Sequence, residues 1–156
     1  MKKLIATVLA LLLALTAFTT SASAISAQPV DGLYYMEEEI VLLSDPQAAE
    51  SVAGSRAAQT VSGSKHNHFY NANGVKLWTV TVTGTFSYDG SSATCTSVSK
   101  SYTIYDSAWK VTDESCSKSG NKAMASFTVK RYVLLIPVQT ENVSLTLTCS
   151  ANGTLS

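Results

Sequence analysis

The chain has 156 residues, 46% of them hydrophobic and 14% charged, and its 11 basic and 11 acidic side chains cancel. This length accommodates one domain, and the balanced charge, spread without a basic cluster, excludes the usual electrostatics of nucleic-acid binding. The balance is uneven along the chain, since residues 25–55 hold six acidic and no basic side chains. The pattern is typical of an acidic leader before a mildly basic domain.

Residues 1–24 have the pattern of a bacterial-type secretory signal peptide. Lys2 and Lys3 precede an apolar run at 4–18, and Ser21–Ala24 then supplies the small residues that signal peptidase reads. A membrane-spanning helix needs about 20 predominantly apolar residues. The shorter run therefore predicts cleavage after Ala24, and a secreted, soluble mature chain without a transmembrane anchor.

Residues 25–57 are interpreted as an acidic leader or linker that is flexible or marginally helical. Asp45-Pro46 ends any helix, and the small residues of 47–58 have too little apolar bulk to pack. One apolar and acidic piece, 33–43, interrupts this stretch. The functional alternative to a disordered extension is a propeptide or tether cleaved near Arg56.

From Thr60 onward the composition is that of β-strands, rich in Thr, Val, Ser and Tyr. Residues 75–89 alternate strictly between apolar and polar side chains, which predicts a strand with one buried and one wet face. Gly84 interrupts the apolar face, where a bulge or a close crossing by another strand would explain it. Turn sequences flank the segment, so 61–70 is predicted as its antiparallel hairpin partner.

Five further strands are predicted at 93–97, 101–105, 109–112, 122–134 and 143–149. In the last of these the alternation places four residues inward, namely Val143, Leu145, Leu147 and Cys149. Six or seven short strands within about a hundred residues favour an all-β fold, an antiparallel β-sandwich of Ig-like or similar type. We assign this domain to residues 58–156.

Three cysteines permit one disulfide in an oxidising extracellular space. Cys149 shares the inward parity of Leu145 and Leu147, and Cys95 follows Ala93 in a strand that returns along 75–89. A Cys95–Cys149 bond is therefore predicted, with Cys116, in a polar loop at 113–118, as the spare thiol. Cys116 has no histidine nearby in sequence to activate it as a nucleophile.

His66 and His68 are the two histidines, and alternate residues of a strand point to the same side. Two imidazoles supply half of a metal site, but no third or fourth ligand is evident, so we predict neither metal nor cofactor. No nucleophile elbow, phosphate loop, metalloprotease or calcium-loop motif occurs. No catalytic residue is assigned, and the chain is predicted not to be an enzyme.

Aromatic side chains are the candidate binding residues. Tyr102, Tyr105 and Trp109, with Tyr70 and Tyr132 as further candidates, offer area and polar groups for stacking on sugar rings or peptide. Packing in the core is the alternative for each, and the parity of Trp78 already predicts a core position.

The run 132–138 is the most apolar after the signal peptide, and Pro137 prevents a continuous central strand there. We predict that it closes one end of the sandwich as core. If exposed, it would be a contact patch for a partner or a membrane surface.

Four stretches carry a resemblance to known proteins: WTVTVTGTFSYDG at 78–90, WKV at 109–111, SGNKA at 119–123 and LTCSANGTLS at 147–156. Together they resemble small secreted proteins of Gram-positive, clostridial-type bacteria. The resemblance covers most of residues 60–156 and implies export and a β-rich domain. It implies no activity and no site.

Two functions are consistent with these features. The first is a non-enzymatic extracellular or cell-surface interaction module that binds an unknown glycan, peptide or protein. The second is a secreted bacteriocin-like effector or inhibitor, whose acidic leader masks a basic domain until it is removed. A metal-dependent hydrolase built on His66 and His68 is the third and weakest hypothesis.

Overall fold

The computed structural model describes residues 28–30, 33–44 and 58–156; the predicted signal peptide and the segment around Arg56 lie outside the described residues. The described part contains eight β-strands and no helix. The strands are β1 (Gln28–Val30), β2 (Tyr34–Ser44), β3 (Gln59–Asn71), β4 (Lys76–Tyr88), β5 (Ala93–Ile104), β6 (Trp109–Ser119), β7 (Lys122–Val133) and β8 (Ile136–Thr148).

These strands form two antiparallel sheets in which every neighbour in space is also a neighbour in sequence. The larger sheet has the order β1-β2-β3-β4-β5, and the smaller has the order β6-β7-β8. The chain passes once between them, at the connection from β5 to β6. The prediction of an all-β, antiparallel fold is confirmed.

One hydrophobic core lies between the inner faces of the two sheets. Phe69 of β3 stacks on Trp78 of β4 with ring centroids 4.6 Å apart, and Trp109 of β6 meets Phe69 edge-on at 5.2 Å. The smaller sheet contributes mostly aliphatic side chains. Its buried members are Ala123, Ala125, Phe127, Val129, Val143, Leu145 and Leu147, followed by Cys149 beyond β8. The inward parity predicted for 143–149 is confirmed.

Strand β4 lies between β3 and β5 in the larger sheet and matches the segment predicted from its alternation. Val80 and Val82 are fully buried on its inner face. Its outer face is drier than predicted, because Thr79 and Thr81 are only 7% exposed. The imidazoles of the neighbouring strand β3 cover these threonines, as the hydrogen bonds described below show.

Gly84 of β4 marks the closest approach of the two sheets. A Cβ atom at this position would lie 2.8 Å from the Cβ of Ala123 on β7 and 2.7 Å from the ring of Phe86. The β4–β5 register also shifts between Thr85 and Phe86. The close crossing is therefore the explanation observed at this glycine, whereas the irregularity leaves Thr96 of β5 unpaired and Gly84 in regular register.

The expectation that the acidic segment 34–44 is flexible or marginally helical is wrong. The segment is strand β2, paired antiparallel with β3. Tyr34, Met36 and Ile40 pack on the core from alternate positions. Glu38 shares their inward parity and forms an ion pair of 3.0 Å with Lys65. The charge at an inward position hid the alternation that a strand requires.

Three other strands are longer than predicted, among them β6, which continues through the polar stretch 113–118 that was expected to be a loop. The segments 93–97 and 101–105 are one continuous strand, β5, because an edge strand tolerates the polar Ser99–Ser101 link on its exposed side. Strand β8 begins at Ile136 and includes Pro137. β8 is an edge strand of the smaller sheet, where the missing N–H of a proline need not break a ladder hydrogen bond.

Candidate functional site

One end of the molecule holds turns of both sheets together with the connection between them, and we call it the loop end. It contains Leu33, the β3–β4 turn (72–75), the β5–β6 connection (105–108) and the β7–β8 hairpin (132–138). Backbone hydrogen bonds tie these pieces together. The carbonyl of Leu77 accepts from the N–H of Tyr105 (2.9 Å), and the carbonyl of Ala108 accepts from the N–H of Tyr132 (2.8 Å).

Most large apolar side chains that the described residues expose lie at the loop end. They are Leu33, Val75, Tyr105, Val133, Leu134, Leu135, Ile136 and Val138. Leu134 and Leu135 at the hairpin turn are 91% and 88% exposed. The prediction that the run 132–138 forms core is therefore wrong for 133–138. The hairpin extends past Trp109, the first residue of β6, so β6 does not flank its tip.

The turn of this hairpin is backbone-strained as well as apolar. Leu134 and Leu135 have φ angles of 48° and 69°, so both central residues of a two-residue turn lie in the left-handed region. That geometry matches the positive φ values of a type I′ turn, which favours Asn-Gly. A left-handed residue with a Cβ costs about 1–2 kcal/mol. Two leucines here therefore add strain, and their exposed side chains offset none of it by burial.

Each of the other described hairpin turns has one positive-φ position, and a glycine occupies it. Gly74, Gly90 and Gly120 occupy the positive-φ positions between β3 and β4, β4 and β5, and β6 and β7. These turns therefore have no strained residue, whereas the Leu134-Leu135 turn has two. Strain of this kind clusters at binding and switch sites in proteins.

Basic side chains stand behind the apolar turn, and we call Lys110, Lys130 and Arg131 the basic collar. Trp109 and Lys110 of β6 pair in register with Arg131 and Lys130 of β7. The Lys110 ammonium lies 5.5 Å from the centre of the Tyr132 ring, a cation–π contact. No collar residue forms an ion pair with a described carboxylate.

Two acidic side chains also lie near this end, and both are engaged in hydrogen bonds. The Asp106 carboxylate accepts from the N–H of Ala108 at 2.9 Å. The Glu141 carboxylate accepts from Nε2 of Gln139 at 2.8 Å. Neither carboxylate forms an ion pair with the collar, whose three positive charges outnumber these two negative ones.

The three predicted binding aromatics divide between surface and core. Tyr102 and Tyr105 are 46% and 57% exposed. Trp109 is only 2% exposed, so its assignment as a binding residue is wrong. It begins β6 with its side chain inward, where it contacts Phe69 and Trp78. Trp109 therefore packs below the loop end, and its ring is not accessible to a ligand.

The histidines share the outer face of β3, as predicted, with their rings stacked at 5.8 Å. Nδ1 of His66 is 2.9 Å from Oγ1 of Thr81, and Nδ1 of His68 is 2.8 Å from Oγ1 of Thr79. Nε2 of His68 also lies 3.3 Å from the Glu39 carboxylate. Among the described residues, no group of three potential metal ligands comes together.

Burial, reinforced by the nearby charges of His68 and Lys76 and opposed by Glu39, lowers the pKa of His66 below its ordinary value. The neutral imidazole is therefore the form that suits the folded sheet. The hydrogen bond between His66 and Thr81 links strand β3 to strand β4.

All three cysteines are free thiols in this structure; Cys95 and Cys149 are buried and Cys116 is exposed. The N–H groups of Cys95 and Cys149 donate to the carbonyls of consecutive residues, Gly120 (2.8 Å) and Asn121 (3.0 Å). The predicted partners thus flank one turn, at the end of the molecule opposite the loop end. Burial raises the pKa of both thiols.

No protein-family model, curated protein or solved structure matches this chain. Within the described residues, no helix is long and apolar enough to span a bilayer. The interpretation of the loop end therefore depends on its own geometry. The apolar run was visible in the sequence but was assigned to the core; its interruption by Pro137 was the signal that it lay at an edge.

Proposed function

We propose that this protein is an exported, non-enzymatic interaction module, a β-sandwich that contacts its partner at a cell surface through the loop end. The observation that carries the proposal is the β7–β8 turn, where Leu134 and Leu135 are both strained and exposed. Neither property benefits the isolated fold. A partner that covers the turn would recover the apolar area.

The chemistry of the loop end supports a contact role rather than catalysis. Its prominent side chains are aliphatic, and aliphatic groups contribute buried area and shape rather than proton transfer or nucleophilic attack. The aromatic cluster of Phe69, Trp78 and Trp109 lies directly below and provides a rigid base. Rigid support of exposed anchors is what a binding surface needs.

Export is supported by the amino-terminal sequence. Two lysines, an apolar run and the small residues that end at Ala24 follow one another in the order of a signal peptide. A disulfide between Cys95 and Cys149 belongs to the same proposal, because an extracellular space permits it.

The alternative of an effector masked by an acidic leader receives less support. Part of that leader is β2, which lies between β1 and β3 inside the larger sheet. Glu38 pairs with Lys65, and Glu39 lies beside His68. Removing this strand would open a sheet edge rather than uncover a finished domain.

A binding experiment with three kinds of surface tests the proposal. Purified protein, labelled at the exposed Cys116 thiol so that the lysines of the collar stay unmodified, is incubated with intact bacterial cells, isolated cell walls, and glycan and peptide arrays. We expect saturable binding to at least one surface and its loss in the double variant Leu134→Asn/Leu135→Gly, which keeps the turn and removes the leucines. The matched control is Leu42→Thr/Leu43→Thr, since those exposed leucines lie at the opposite end of β2.

Absence of binding to every surface would refute the interaction module. Equal binding by the protein and the Leu134→Asn/Leu135→Gly variant would refute the loop end as the contact surface. Circular dichroism of each variant establishes that the fold is retained before binding is compared.

A further inference from the structure

We propose that the partner of the loop end is a lipid bilayer with anionic headgroups, into which the β7–β8 turn inserts. This inference rests on the proposed function and names its partner. The hairpin tip, defined as Val133–Ile136, enters the acyl region. The basic collar stays at the level of the lipid phosphates.

The size of the tip matches the depth of interfacial insertion. Leu134 lies three residues beyond Arg131, which at about 3.3 Å per residue places it about 10 Å past the collar. Apolar groups of peripheral membrane proteins enter the boundary between headgroups and acyl chains by about 5–10 Å. Every side chain of the tip is exposed and aliphatic, so nothing polar accompanies it.

The order of side chains along the hairpin repeats the order of layers in a bilayer interface. Leucines are outermost, Tyr132 follows, and Lys130 and Arg131 come next. Tyrosine prefers the headgroup level, where its ring is half-buried and its hydroxyl remains wet. Tyr105, on the neighbouring connection, is exposed at the same end. Lysine and arginine attract anionic lipid over the last few ångströms of approach.

Charge favours a membrane over a protein groove as the occupant. Lysines are depleted in protein–protein interfaces, whereas the collar presents Lys110 and Lys130 beside the apolar turn. The collar forms no ion pair with a described carboxylate, and its three positive charges outnumber the two negative charges of the nearby Asp106 and Glu141. A projecting apolar tip above free cations is complementary to hydrocarbon beneath phosphate.

Cosedimentation with lipid vesicles tests the inference. Purified protein is mixed with vesicles of phosphatidylcholine alone or phosphatidylcholine with phosphatidylglycerol. We expect binding about tenfold stronger to the anionic vesicles, weakening as salt rises from about 50 to about 200 mM because the collar is screened. Equal binding to both vesicle types, or no binding to either, would overturn the proposal.

Two variants separate insertion from electrostatic attraction. Leu134→Asn/Leu135→Gly should lower binding to anionic vesicles at least about tenfold, since the tip loses its apolar area. Lys110→Gln/Lys130→Gln should lower it and flatten its salt dependence. Their controls are Leu42→Thr/Leu43→Thr and Lys118→Gln/Lys122→Gln, which remove matched groups at the opposite end. A tip variant that binds like the unmodified protein would contradict the inference.

Insertion itself has a direct readout. In a Cys116→Ser background, Leu134→Cys carries a polarity-sensitive fluorophore, because the remaining cysteines, Cys95 and Cys149, are buried. A blue shift on adding anionic vesicles supports entry into hydrocarbon, and an unchanged spectrum overturns it. The same dye on Leu43→Cys is the control and should not shift.

The two proposals fail in different ways. Hairpin-dependent binding to cells or walls without vesicle binding would overturn the lipid partner and retain the interaction module. Loss of cell binding after protease treatment of the cells would point to a protein partner and overturn the lipid. No binding to vesicles or to any surface would refute both.

Discussion

The outer face of β3 carries two imidazoles that act as structural hydrogen-bonding groups. Nδ1 of His66 meets Thr81 at 2.9 Å, and burial lowers the pKa of His66. The unfolded chain binds a proton at this position with a pKa of about 6.5. Protonation therefore favours the unfolded chain, and the pH dependence follows from this difference.

We expect the free energy of unfolding to fall as the pH drops below about 6.5, until the lowered pKa of His66 is passed. Above about 6.5 both states are neutral at this group and its contribution is complete. Urea unfolding between about pH 7.5 and about pH 5 measures the effect. The variant His66→Gln should show a shallower loss; equal slopes for variant and unmodified protein would contradict the prediction.

In the β7–β8 hairpin, leucines occupy the two central turn positions, although a turn with two positive φ angles favours Asn-Gly. The pairing of Val133 with Ile136 leaves two residues for the turn, and both adopt positive φ. The flanking strands and the register shift after Arg131 impose this geometry rather than any propensity of leucine. The two leucines therefore lower the free energy of unfolding from a surface position.

Leu134→Asn/Leu135→Gly should raise the free energy of unfolding by about 2 kcal/mol, because Asn-Gly suits a turn with two positive φ angles. Urea or thermal unfolding of the variant measures the gain. Leu42→Thr/Leu43→Thr should show none, since β2 has no left-handed residue there. An unchanged or lower stability of the Asn-Gly variant would show that the leucines carry no strain.

Strands with a clean alternation or an evident hairpin partner could be predicted from the sequence. β4 and β7 were located to within a few residues because apolar and polar side chains alternate along them, and β3 because turn sequences made it the partner of β4. β2 was missed because Glu38 occupies an inward position, paired with Lys65 of a strand distant in sequence. Only tertiary contact makes that carboxylate compatible with the sheet.

The loop end could be predicted only in part, for a related reason. Hydrophobicity marked 132–138, but hydrophobicity does not distinguish core from a projecting hairpin. The difference depends on where β6 begins. Because β6 starts at Trp109, it leaves the β7–β8 turn without a neighbouring strand. Trp109 was misassigned because the short predicted strand 109–112 gave no reliable parity.

In the folded molecule, Cys95 and Cys149 lie where the two sheets meet. Cys95 belongs to the larger sheet, and Cys149 follows β8 of the smaller one. A disulfide between them would join the sheets at the end opposite the loop end. Raised thiol pKa values make their thiolates scarce, so oxidation of the folded protein should be slow.

Refolding with oxidised glutathione should form the Cys95–Cys149 bond and stabilise the protein by about 4 kcal/mol relative to the reduced form. Peptide mass spectrometry identifies the pair, and urea unfolding with and without reductant measures the gain. Cys116→Ser should behave like the unmodified protein, whereas Cys95→Ser should lose the gain. A bond that involves Cys116 instead would contradict the pairing.

The interior position of β2 also determines what a cut near Arg56 would produce. Because β2 is held by a full antiparallel ladder with β3 and by the Lys65–Glu38 ion pair, a cleaved chain should remain a two-piece complex. A synthetic peptide of residues 28–44 should then bind the separately expressed remainder and restore its fold, as in fragment complementation. The protein could thus be divided into two fragments whose association restores the fold, with β1 and β2 on the smaller fragment.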